Sequence, residues 1–121
     1  MTDPIEGRAK VQGLAGDLDR LSKKLGAINR ELRPIQEGYD DFIRDHEAGL
    51  YDALEDGQRL PGKEMRLTLA LRDMPASFRG KHHRLVSERE SLKQQISNLK
   101  VEVDAWRSVL SANKAELEAV S

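Results

Sequence analysis

The chain has 121 residues, 34% of them charged and 4% aromatic, with a net charge of −1 and no cysteine. That is one domain's worth of chain, too polar for a thick globular core, and the lack of cysteine excludes a disulfide framework and thiol chemistry. Abundant Leu, Glu, Lys, Arg and Ala suit thin helix-on-helix packing, so the expected class is all-α, in a single helical domain over 1–121.

The first element read from the sequence is a helix over 3–56. Asp3 suits the cap, Pro4 the first helical position, and Glu6 completes a capping box. Ten successive heptad positions then carry apolar side chains: Val11, Leu14, Leu18, Leu21, Leu25, Ile28, Leu32, Ile35, Tyr39 and Phe42. This unbroken 3–4 spacing marks a helix that shares a seam with another helix. Pro34 falls on the solvent side of the repeat, where a kink and no break is expected. Gly57 offers a left-handed C-cap.

A tip segment over 57–74 follows. Leu60-Pro61-Gly62 reads as a turn. The stretch from Lys63 to Asp73 fits two patterns: Met65, Leu67, Leu69 and Leu71 alternate as in a strand, whereas Leu67, Ala70, Leu71 and Met74 share one helical face. The residues are good helix formers and a lone strand would lack a partner, so a short helix is expected.

The last element is a helix over 75–120, opened by Pro75 or divided at Gly80. Its seam runs through Phe78, Leu85, Leu92, Ile96, Leu99, Val103, Trp106, Leu110, Leu117 and Val120, and is interrupted by His82, Arg89 and Asn113. The two long helices match in length and are expected to fold back as an antiparallel coiled-coil hairpin. Charge suggests a register: Lys10 beside Glu116 and Lys24 beside Glu102 leave no like-charge contact. It stacks Leu18 with Trp106, Leu25 with Leu99, Leu21 with Val103, Ile28 with Ile96 and Leu32 with Leu92. Phe42 would then meet His82, and His46 would meet Phe78. A parallel homodimer pairing Glu88 with Lys93 and Glu102 with Arg107 is the rival arrangement. Since one seam is narrow and Ile43, Val86, Val101 and Val109 flank it, dimerisation into a four-helix bundle is expected.

Charge is uneven along the chain. From Gln36 to Asp56 eight acids face one base, and from Gly57 to Glu90 eight bases face four acids. Mutual neutralisation at the tip is the plain reading; a basic surface over 59–89 for nucleic acid is the alternative. His46, His82 and His83 could gather there, but His82 and His83 are adjacent on a helix and point about 100° apart, which argues against one shared zinc ion. No phosphate loop, metalloprotease motif or nucleophile setting occurs, so no enzyme activity, cofactor or metal is expected. The first residues lack the regions of a signal peptide, and no apolar run approaches the roughly 20 residues of a membrane span. The expected setting is cytoplasmic, away from membranes.

The layout resembles small coiled-coil accessory proteins of tailed bacteriophages. The likeness rests on the capped heptad helix, a charged middle with Leu60-Pro61 and Met65-Arg66-Leu67, then Met74-Pro75 and a second helix ending in Ser108-Val109-Leu110-Ser111-Ala112. It implies an accessory or regulatory binding protein acting on replication or recombination machinery. The expected function is a self-associating interaction module that binds a protein partner through its tip. Arg59, Met65, Arg66, Leu67, Leu69, Arg72 and Met74 form the expected contact surface, apolar in the middle with a basic rim.

Overall fold

A computed structural model describes residues 4–120, so the expected cap at Asp3 lies outside the described residues. Three helices account for nearly all of it: α1 over Pro4–Asp52, α2 over Lys63–Asp73 and α3 over Ala76–Val120. The two long helices pack against each other through their heptad seams. Among the described residues no helix is long and apolar enough to cross a membrane.

Helix α1 passes through the exposed Pro34 without a break. It ends four residues before the expected point, at Asp52. No basic residue occupies its last turn, while Asp52 ends it and Glu55 and Asp56 follow, where the negative end of the helix dipole disfavours acids. Gly57 does adopt a positive φ, +84°, but it serves a separate turn in which the Gln58 N–H donates to the Glu55 carbonyl at 3.0 Å. A turn of this kind needs a left-handed third residue, which glycine supplies without strain.

The ambiguous segment is helical. A helix places Ala70 (1% exposed) and Met74 (3%) on the inner side, spaced i and i+4 on one face. Leu67, expected on that face, lies exposed instead. Pro75 then stops α2: it forces Met74 into the extended region (φ −67°, ψ 137°), as the ring of a following proline does. Helix α3 begins at the next residue and runs through Gly80 undivided.

The chain forms two compact units. The first comprises the residues up to Ala27 with those from Arg89 onward. Its interior is pure seam: Leu14, Leu21, Leu92, Ile96 and Val103 are buried, and Leu18, Leu25, Leu99 and Trp106 are half-buried. Gly7 is buried beside Leu110, so close that a Cβ at 7 would lie 2.7 Å from Leu110 Cδ2. The expected register would set Leu110 opposite Leu14, so the contact is one heptad away from it. Asp17 pairs with Arg20, Asp19 with Lys23, and Glu90 with Lys93, each within one helix. Exposed pairs of this kind are worth about 0.3–0.5 kcal/mol each, too little to fix a register.

The second unit spans Ile28–Glu88 and contains α2 whole. Its buried residues are Ile28, Leu32, Ala70, Met74 and Leu85, the last at 1% exposure. Here too the expected partners shift. His82 meets Tyr39 and Gln36 rather than Phe42, and Phe78 lies against Gly38 rather than His46, with its Cζ 3.2 Å from where a Cβ at 38 would stand.

Candidate functional site

The second unit holds the residues that the sequence singles out, and it joins its helices by polar contacts as well as by apolar ones. Arg66 sits on the inner half of α2. Its Nη1 donates to the Pro61 carbonyl at 2.8 Å, and its Nε lies 3.0 Å from Glu47 Oε1 on α1. The Nε–H is not directed at that oxygen, so the second contact is an ion pair by proximity. With 23% of its side chain exposed, Arg66 straps α2 and the preceding loop to α1.

At the other end of α2, Asp73 accepts from His46 Nε2 at 2.7 Å and from Arg72 Nε at 3.1 Å. Arg72 and then His46 hold the Asp73 carboxyl below its ordinary value of 3.8, since hydrogen bonds and positive charge favour the ionised form. His46 Nδ1 is buried and unpartnered, so in its neutral form the ring presents the Nε2–H to Asp73 and leaves Nδ1 an idle acceptor.

A third contact joins α1 to α3. The rings of Tyr39 and His82 stack with centroids 3.8 Å apart and planes 6° from parallel, while His82 Nε2 lies 2.7 Å from Gln36 Oε1. The histidines therefore part company: His46 turns to Asp73, His82 to Tyr39 and Gln36, and His83 lies exposed. Sequence reasoning missed this stack, although a histidine at a seam position is a signal that some polar or aromatic seam residue must face it.

Of the expected contact residues, Arg59, Met65, Leu67 and Arg72 are exposed, Arg66 and Leu69 are half-buried, and Met74 is buried. Met65 and Leu67 are exposed on α2, at 54% and 42%, though two residues apart on a helix they point to different sides, and Met74 is withdrawn into the interior. Beside Leu67 a groove of about 360 Å³ runs between Ile43 on α1 and Lys63 and Glu64 on α2. Leu67 lines this groove with Ile43, whereas Met65 lines a separate depression with Gly62 and Thr68; the groove at Leu67 can take an apolar side chain. The bases of the segment are mostly engaged: Arg66 with Glu47, Arg72 with Asp73, and Arg79 donating to the Leu71 carbonyl at 2.7 Å. Comparison with protein-family models, with curated proteins and with solved structures finds no match.

Proposed function

We propose that the chain is a non-catalytic interaction module, an antiparallel coiled-coil hairpin that self-associates and binds a protein partner through the outer side of α2. The observation that carries this reading is the exposure of Leu67 at the Ile43 groove, with Met65 exposed on the same short helix. Exposed apolar residues with a polar surround are the usual form of a protein-binding patch. Antiparallel pairing is supported by contact order in the second unit, where Gly38 meets Phe78 and Gln36 meets His82. Homodimerisation is supported by Ile5, Val101 and Leu117, which are 78%, 68% and 58% exposed in the first unit. An accessory role in the cytoplasm, of the kind the bacteriophage resemblance implies, accords with such a module. Nucleic-acid binding is the weaker reading, because Arg66 and Arg72 of the basic segment are held in ion pairs with Glu47 and Asp73 and the net charge is −1.

The test exploits the split between strap and patch. Met65→Ser with Leu67→Ser is expected to abolish capture of the partner from extracts of the native cell, with helicity and dimer mass unchanged. Capture that survives this change but fails when exposed residues of α1 or α3 in the first unit are altered would refute the assignment. Cysteines at Gly7 and Leu110 are expected to cross-link within one chain, and a pair at Leu18 and Trp106 is not; the reverse would refute the register.

A further inference from the structure

The second unit contains a larger cleft that the partner-binding reading does not use. It is an open cleft of about 520 Å³ among Tyr39 of α1, Leu71 of α2 and the first turns of α3, within the roughly 300–1,000 Å³ of small-molecule sites. Leu71, Ala76 and Val86 give it an apolar lining. The stacked Tyr39 and His82 rings add a flat wall held in place by their own contact and by Gln36.

The polar lining offers donors and one fixed positive charge. It consists of Arg79, Tyr39, His82 and His83, and contains no carboxylate. That is selective in a chain with 21 acids, the more so because α1 carries Asp40, Asp41 and Asp45 within the same unit. Arg79 is fixed by donating Nη1 to the Leu71 carbonyl at 2.7 Å, and a guanidinium retains further N–H donors after one is used. An imidazole also offers a ring N–H in either protonation state. Apolar lining, a flat wall and donors without acceptors of negative charge together specify a ligand.

We propose that this cleft binds a small aromatic anion, a flat ring bearing one carboxylate or sulfonate, with the ring on the apolar lining and the anion toward Arg79 and His83. The occupant follows from charge complementarity and from the shape of the wall. Binding here is separate from the Met65–Leu67 surface, so either reading can fail alone.

Titration of the full chain with 2-naphthoate, followed by amide NMR, tests it. Saturable shifts are expected at Tyr39, Leu71 and 76–86. Acetate, which lacks the ring, and 2-naphthylmethanol, which lacks the charge, are each expected to bind about tenfold more weakly or worse, the scale of one lost charge-assisted contact. His83→Glu places a carboxylate at an exposed position and is expected to weaken naphthoate by a similar factor. Gly80 lines the cleft, and a Cβ there would meet no atom within 4 Å. Gly80→Trp is therefore expected to abolish binding while holding or raising the thermal midpoint, because it replaces a helical glycine. Absence of saturation, equal binding of the uncharged alcohol, shifts centred in the first unit, or unchanged affinity in His83→Glu would each overturn the proposal.

Discussion

The two units of this chain are built from the same two heptad helices and held by different means. In the first, the interior is a run of aliphatic seam residues, and its ion pairs run along single helices. In the second, a third short helix is inserted, and polar contacts join the helices: the Arg66–Glu47 ion pair and the directional contacts of His46 with Asp73 and His82 with Tyr39 and Gln36. Aliphatic packing is insensitive to pH and tolerant of detail, whereas directional contacts fix one arrangement of side chains. A surface that must present a defined shape to a partner is better built on the second kind of support.

The largest expected effect comes from removing core volume in the second unit. Leu85→Ala empties a site that is 1% exposed and should lower unfolding stability by about 2–5 kcal/mol in urea titration. Leu21→Ala in the first unit, at 6% exposure, should fall in the same range but loosen a different set of amides. If the two variants expose the same amides, the units are not distinct. Next in size is overpacking. Gly7→Val would drive a side chain into Leu110, whose Cδ2 lies 2.7 Å from the Cβ position, and should cost about 1–3 kcal/mol. Gly13→Ala, six residues away, meets nothing within 4 Å and should stabilise by about 0.5–1 kcal/mol through helix propensity. Opposite signs in one helix would show that close approach is confined to the seam.

The smallest effect concerns pH. The Asp73 carboxyl is held below its ordinary 3.8 by Arg72 and His46. Its stabilising contribution is therefore full above that value and is lost as pH falls through the lower folded one. Asp73→Asn should lower the thermal midpoint slightly at neutral pH and show a shallower decline on acidification below about pH 4. A decline as steep as in the parent chain would mean that the His46–Asp73 contact carries no linkage.

The helices were legible in the sequence because heptad spacing is a long, redundant signal: Val11 to Phe42 and Phe78 to Leu110 each repeat it many times. The end of α2 was legible too, since Pro75 dictates the backbone of Met74. Register was not, because its signal in the sequence lies in exposed charges such as Lys10 and Lys24, and exposed pairs are worth too little to choose among heptad alignments that bury equivalent apolar seams. Within the candidate site, the apolar cluster around Met65 and Leu67 could be seen, but not which of its members face inward. That depends on where α1 lies beside α2: Met74 and Ala70 turn to the interior, and Arg66, read as a rim residue, becomes a strap.

The division of labour between an aliphatic seam and a polar-clamped second unit is tested most directly by amide hydrogen exchange on the double variant His46→Ala, Asp73→Asn. Cutting the clamp is predicted to speed exchange in α2 and in the facing stretch of α1 around 43–50, leaving the amides near Leu14, Leu21, Ile96 and Val103 at parent rates. Equal acceleration across both units would contradict it, and would mean that the chain opens as one body.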